Sequence, residues 1–260
     1  MVVKETQNLF PAPKPWWLVF LLGVAAGAGG GLLGVGGGII MVPILTLWGY
    51  SQKTAQGTSL VVIAAIAPVA IFSYFGFGNI VFALAVPLAI GGLIGGEIGS
   101  AIALRISNRA LSHAFSILLV IVALRMLFLK FSEGGGVDGF TLLKLTEAGI
   151  LGIFGGLAAG FFGVGGGIVY VPIGVLFMGL TQASAQGSSF AAIFPTALLC
   201  AWRYWQSKEI SSALVKWLVP GAVGGVILGA FLADVVPAKE LRIIFALYLI
   251  YTGASRFLRR

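Results

Sequence analysis

The chain predicts an all-α polytopic membrane protein made of two homologous repeats, and three observations carry that prediction. Hydrophobic residues make up 59% of its 260 residues and charged residues only 9%, against about 25% charged in soluble domains, so there is too little polar surface to cover a soluble globule. Apolar blocks long enough to span a bilayer follow one another, four in each half. The first half has Trp16 to Tyr50, Ala55 to Phe77, Ile80 to Leu104 and Leu111 to Leu129; the second has Leu145 to Met178, Ala185 to Trp205, Ala213 to Ala233 and Leu241 to Tyr251 with its neighbours. Finally, GVGGGI at Gly34–Ile39 recurs at Gly163–Ile168, 129 positions later (163 − 34).

The duplication extends beyond the glycines. Val42-Pro43 returns as Val171-Pro172, and Ala55-Gln56-Gly57-Thr58-Ser59 returns as Ala185-Gln186-Gly187-Ser188-Ser189, with one residue inserted between the blocks. Upstream, Gly23, Gly27 and Gly31 align with Gly152, Gly156 and Gly160. The chain therefore divides into a cytoplasmic N-terminal segment (1–15), membrane repeat 1 (16–131), an inter-repeat linker (132–144) and membrane repeat 2 (145–260). Lys4 and Lys14 ahead of an apolar run ending in Ala25-Ala26-Gly27-Ala28 outline a signal peptide. The counterpart of that run at 152–163, deep inside the chain, predicts that it is part of the fold.

Each half opens with a block that one straight helix cannot explain. Thirty-five residues, Trp16 to Tyr50, would run about 52 Å as a helix, against a hydrocarbon core of about 30 Å. The glycines at 34, 36, 37 and 38 are where the block should break, leaving half-helices over Gly38 to Trp48 and, in the second repeat, Gly167 to Phe177. Irregular backbone at membrane depth is tolerated where protein buries it or water reaches it, so the two breaks should line a cavity. The free N–H groups that start each half-helix would then face its occupant, and they favour an anion.

The doubled GxGGG followed by VP, the A-Q-G-T/S-S block opening the next helix and the four-plus-four layout resemble the TauE/SafE sulfite exporter family, also called TSUP, over roughly Trp16 to Phe257. The resemblance implies secondary transport of small sulfur-containing anions (sulfite, sulfonates, sulfoacetate or thiosulfate), outward and coupled to a proton gradient. The candidate substrate-binding residues are Gly36, Gly37, Gly38, Gln56, Gly57, Thr58 and Ser59, with Gly165, Gly166, Gly167, Gln186, Gly187, Ser188 and Ser189. Neutral donors suit an anion that must be released again, because a full ion pair in low dielectric would hold it too tightly. Their alternative role is hydrogen bonding between helices.

Glu97 is the acidic residue well inside an apolar span, a placement costing about 2.5 to 3.5 kcal/mol on insertion scales, and is the candidate proton-coupling group. It lies nearer the end of its helix than the middle, and its counterpart near Ala230 is apolar. Arg203, in Trp202-Arg203-Tyr204-Trp205, reads as an interfacial anchor with its charge snorkelling outward. The glycine stripes at spacings of four, Gly23/Gly27/Gly31, Gly92/Gly96, Gly95/Gly99 and Gly221/Gly225/Gly229, read as seams for close helix packing.

The net charge of +8 comes from Lys and Arg scattered at block ends, so positive-inside flanks explain it and nucleic acid is not an expected partner. The single cysteine, Cys200, and single histidine, His113, exclude a disulfide framework and an imidazole or thiolate metal cluster. No cofactor and no catalytic residue is expected. The expected partners are a small organic or inorganic sulfur anion, protons as the coupling ion, the lipid bilayer and a second copy of the chain in a homodimer. The location expected is the cell membrane, plasma or inner, with both termini cytoplasmic. Two topologies stay open, eight spans with parallel repeats or ten with inverted repeats if each broken block turns back on itself, and both put equal numbers of Lys and Arg in the cytoplasm. A passive anion channel shares the same site chemistry, and a membrane-embedded enzyme is the weaker alternative for want of a cluster of titratable groups within the spans.

Overall fold

The computed structural model describes residues 14–128, 141–176, 178–235 and 250. The last apolar block, Leu241 to Tyr251, most of the linker and nearly all of the N-terminal segment lie outside the described residues. Among those described, every regular element is a helix: α1 (Trp16–Leu33), α2 (Gly38–Leu47), α3 (Gln52–Gly76), α4 (Phe82–Arg105), α5 (Asn108–Phe128), α6 (Leu142–Phe162), α7 (Gly167–Leu176), α8 (Gln182–Gln206) and α9 (Ser212–Val235). Five of them, α1, α3, α4, α6 and most of α9, are long and apolar enough to cross a membrane. α6 opens at Leu142, three residues before the second repeat was expected to begin.

The outer surface is that of a protein solvated by lipid. On α4, Phe82, Val86, Ile90, Ile94, Ile98 and Ile102 form an exposed stripe at every fourth position, while Gly91, Gly92, Gly95, Gly96 and Gly99 are buried on the opposite side. A helix that buries its glycines and exposes its isoleucines gains nothing from water, since the hydrophobic effect would drive the reverse.

The glycine stripes are seams, and they pair helices across the two halves. Gly23, Gly27 and Gly31 of α1 face Leu218, Ala222 and Val226 of α9 in ascending order, and Gly221, Gly225 and Gly229 return the contact to Phe20, Val24 and Ala28. The two helices therefore run parallel. In the same way Gly91, Gly95 and Gly99 of α4 face Gly149, Ile153 and Leu157 of α6, with Gly152, Gly156 and Gly160 reciprocating. Gly92 and Gly96 serve two contacts, their carbonyls receiving Gly156 and Gly160 of α6 while their own Cβ positions face Thr196 and Cys200 of α8. Each seam lets a backbone carbonyl of one helix sit where a Cβ of the other would be. α9 supplies the control: nothing lies within 4 Å of a Cβ built on exposed Gly224, whereas one on neighbouring Gly225 falls on the Val24 carbonyl. Gly224→Ala should keep or raise the melting temperature, worth up to about 1 kcal/mol of helix propensity. Gly225→Ala should lower it by about 1 to 3 kcal/mol through overpacking.

α3 and α8 lie at the centre and run antiparallel. Gly57, near the start of α3, abuts Tyr204 and Glu209 at and beyond the end of α8, while Gly187, near the start of α8, abuts Tyr74 and Asn79 at and beyond the end of α3. Ser51 and Thr181 cap their N-termini, accepting from Thr54 N at 3.0 Å and Ser184 N at 3.2 Å.

A candidate anion site between two glycine breaks

The breaks fall where the glycines predict and the half-helices match within a residue, as α2 and α7. Gly34 and Gly163 end α1 and α6 with φ of +70°, and Gly36, Gly37, Gly165 and Gly166 hold φ between +79° and +82°. A side chain at any of these would clash with its own backbone. The turn reverses the chain: Gly37 lies against Ala26 and Gly166 against Gly155, each eleven residues back along its own repeat. A helix that ran on would instead have carried them about 16 Å apart.

Each break is completed by the other repeat. α2 starts at Gly38 against the Gly163 carbonyl, and α7 starts at Gly167 against the Gly34 carbonyl. Ser59 Oγ donates to Gly163 O at 2.9 Å, and Ser189 Oγ donates to Gly34 O at 3.1 Å. Gln56 lies on Gly163 and Gln186 on Gly34. The remaining pair of matched polar residues also crosses over: Val81 N donates to Ser188 Oγ (2.9 Å) and Ser211 N to Thr58 Oγ1 (3.1 Å). Gly57 and Gly187 provide the close approach of the facing loop carbonyls, Glu209 O and Asn79 O. Eleven of the fourteen predicted residues thus contact the other repeat, while Gly36, Gly37 and Gly166 pack within their own. Thr58 and Ser188 hold the loops before α9 and α4, and Ser59 and Ser189 use their protons on the glycine turns. Ser59→Ala or Ser189→Ala should therefore destabilise the protein by about 0.5 to 1.5 kcal/mol, the worth of one hydrogen bond, read as a lowered melting temperature.

The electrostatics at the centre come from backbone. In α2 the first helical bonds are Ile40 N and Met41 N to Gly37 O, so the N–H groups of Gly36, Gly37, Gly38 and Ile39 donate to no backbone carbonyl. In α7 the bonds of Val169 N and Tyr170 N to Gly166 O leave Gly165 to Ile168 in the same condition. Two positive helix ends therefore meet in the protein interior. The acids whose side chains are described are elsewhere: Glu97 on Arg203, Glu209 on Thr54 (2.7 Å), and Glu147 exposed near the start of α6. The break glycines are buried, and Ile63, itself fully buried, touches both Gly36 and Gly165, with Ile193 beside Gly165 and Gly167. An apolar groove of about 480 Å³ lies away from this centre, on the outer side of α3 and α8 beside Val61, Leu198 and Trp202. Its wall faces lipid.

Two tyrosines belong to the site and were missed in the sequence. Tyr74 Oη has Gly31 O (2.6 Å) and Gln186 Oε1 (3.2 Å) within reach of its one proton, and Tyr204 Oη has Gly160 O (3.0 Å) and Gln56 Oε1 (3.1 Å) within reach of its own. They stand 130 apart (204 − 74), the same offset as Gln56 and Gln186, which was a legible signal. Glu97 is on α4, away from the breaks, and its carboxylate forms an ion pair with Arg203 of α8, Nε donating to Oε2 at 2.8 Å. Arg203 is therefore an ion-pair partner rather than only an outward-reaching anchor.

Paired broken helices at the centre of a lipid-facing helical bundle define a class, the multi-pass membrane transporter. The profile of the family described as "Sulfite exporter TauE/SafE" matches residues 18–181 and 148–260. The chain belongs to the TauE/SafE family and is a membrane transporter. Among similar proteins are a "Probable membrane transporter protein" of Xylella fastidiosa (strain 9a5c), 29% identical over 81% of this chain and 84% of its own, and "Probable membrane transporter protein YdhB" of Bacillus subtilis (strain 168), 27% identical over 86% and 91%. "Probable membrane transporter protein MJ0441" of Methanocaldococcus jannaschii is 30% identical over 66% of this chain and 65% of its own.

Proposed function

We propose that this transporter carries small sulfur-containing anions such as sulfite, a sulfonate or sulfoacetate, by a proton-coupled secondary mechanism, with the anion held between the two glycine breaks. The observation that carries the proposal is the meeting of two uncovered helix N-termini, each against the other repeat's turn, with no described carboxylate beside them. Neutral N–H donors offer an oxyanion several hydrogen bonds without a buried countercharge, so release stays cheap. Rocking of one repeat against the other about this centre would expose it to each side in turn. Thermal unfolding of purified protein tests it. Sulfite, thiosulfate or a short sulfonate at a hundred times its dissociation constant should add about 2.7 kcal/mol of stability. A stabilisation given by small carboxylates alone would reassign the substrate.

The topology proposed with it has ten crossings in two inverted repeats, in the cell membrane with both termini cytoplasmic. Its support is the reversal at each break and the antiparallel α3 and α8, because corresponding helices of parallel repeats run the same way. The basic ends agree: Lys53 reaches Leu104 O, Asn108 bonds Lys53 N, and Glu209 bonds Thr54. Lys53, Arg105, Arg109 and Lys208 thus share one end, and that end should be cytoplasmic. A cysteine placed at Val137, between α5 and α6 and outside the described residues, should then react with an impermeant maleimide from outside the cell. Native Cys200 is buried. Protection at Val137 until the membrane is opened would favour the parallel arrangement.

A further inference from the structure

The two halves of the site share their crossing hydrogen bonds and differ at one matched pair of glutamines and at the turn beside each. Gln186 is fully used: its Oε1 accepts from Tyr74, and its Nε2 donates to Leu32 O at 3.0 Å, in the last turn of α1. Gln56 accepts from Tyr204 in the same way, but its Nε2 is buried with no partner, on a side chain with 0% exposure. Phe161, which stands where Leu32 does in the first repeat, receives nothing from it. The backbone repeats the difference. At the first turn both Gly34 N and Val35 N donate to Gly30 O, the latter at 3.2 Å, whereas at the second turn Gly163 N donates to Ala159 O and Val164 N makes no such bond. The first turn thus ends with one backbone bond more than the second, whose single bond is that of the simple left-handed cap.

The amide without a partner belongs to the side chain that lies against Gly163 and Tyr204. Gln56 precedes Ser59 by three residues on one face of α3, and the Ser59 hydroxyl lies at the start of α2, beside Gly38. An N–H donor with nothing to donate to costs free energy in the interior unless something arrives to accept from it. The uncovered N–H groups of Gly36 to Ile39 point to the same kind of visitor. At the opposite end, α7 has equivalent N–H groups, but its glutamine is spent on Leu32.

We propose that the two glutamines work alternately, with Gln186 as a latch that closes the first turn in this state while Gln56 supplies the side-chain donor for the anion at the start of α2. In the opposite-facing state the roles exchange, Gln56 closing on Phe161 O and Gln186 releasing its amide toward α7. The ligand part rests on the reading of the breaks as the transport site; the latch does not.

Hydrogen–deuterium exchange on the full-length protein, with and without sodium sulfite, tests both. Without ligand, the turn at 161–165 should exchange about fivefold faster than the turn at 32–36, the scale set by one lost neutral hydrogen bond. Gln186→Leu should raise exchange at 32–36 to the level of the second turn, and Gln56→Leu should leave 161–165 unchanged. Sulfite should protect Gly36 to Ile39 in the wild type and not in Gln56→Leu. Equal exchange at the two turns of the wild type, or an equal effect of the two substitutions, would overturn the latch. Sulfite protection that survives Gln56→Leu would remove Gln56 from the anion, while no protection in the wild type would overturn the sulfite reading and leave the latch standing.

Discussion

Gly37→Val and Gly166→Val are expected to abolish transport, at a cost in stability that Gly78→Ala does not share. Three glycines with φ near +70° to +82° separate two effects that are usually confounded. At Gly78, in the α3–α4 loop, φ is +70° but nothing lies within 4 Å of a built Cβ, so alanine meets backbone strain alone. That strain is about 1 to 2 kcal/mol. At Gly37, φ is +80° and the Cβ falls on the Ala26 carbonyl; at Gly166, φ is +82° and it comes within 2.7 Å of the Gly155 carbonyl. Strain and overlap add there, about 1 to 3 kcal/mol more for the overlap, and a β-branched side chain tolerates positive φ least. The turn must open, and the helix N-terminus proposed to face the anion moves with it. Wild-type exchange by membrane-inserted Gly37→Val and Gly166→Val protein would take the breaks out of the site. Equal melting temperatures for Gly78→Ala and Gly37→Ala would show that the close approach to α1 carries no weight.

The second large effect is expected at the Glu97–Arg203 pair. It ties α4 to α8 across the two repeats, and both side chains are about two-fifths exposed on a surface that faces lipid. Hydrocarbon offers a stranded charge none of the relief that water would, so the small values measured for exposed pairs in water do not apply. Glu97→Gln leaves Arg203 without its partner and Arg203→Gln leaves Glu97 without its own, each at a cost below the about 2.5 to 3.5 kcal/mol that insertion scales give a charge at a helix centre, because Arg203 lies three residues from the end of α8. The double substitution should recover most of that loss, because the charges disappear together. A double variant as unstable as the sum of the singles would deny the pair.

The same residues carry the proposal of proton coupling, in which Glu97 takes up a proton, releases Arg203 and frees α4 from α8. Glu97→Gln should then keep exchange of labelled anion without a gradient and lose uptake driven by a pH difference. Retained pH-driven uptake would rule that role out.

What could be read from the sequence follows the range of the interactions involved. The breaks and half-helices were legible because a run of glycines acts locally, on its own backbone, and the recurrence 129 residues later named both copies. The seams were legible as small residues every fourth position, but their partners were not. Gly92 and Gly96 look like Gly95 and Gly99 in sequence, and only their rotation by one residue, about 100° around the helix, turns their Cβ positions to α8 while their carbonyls stay against α6. The crossing of Ser59 to Gly163 and of Ser189 to Gly34 needed the direction of each helix, on which the charge count was balanced. Glu97 and Arg203 lie 106 residues apart (203 − 97) on helices that do not correspond in the two repeats, so no repeat logic pairs them. The different states of Gln56 and Gln186 were beyond any sequence reading, since the two residues are identical and only their hydrogen bonds differ.

The most direct test of a transport site between the two breaks is counterflow in proteoliposomes loaded with unlabelled sulfite and diluted into a trace of labelled sulfite. A carrier that binds the anion and alternates should accumulate label above the external concentration while the internal pool lasts, and Gly37→Val protein inserted to the same level should not. Label that only equilibrates with the outside would indicate a channel. Label that does not enter wild-type vesicles, for sulfite and for the sulfonates tried in its place, would contradict the assignment of a sulfur anion to this site.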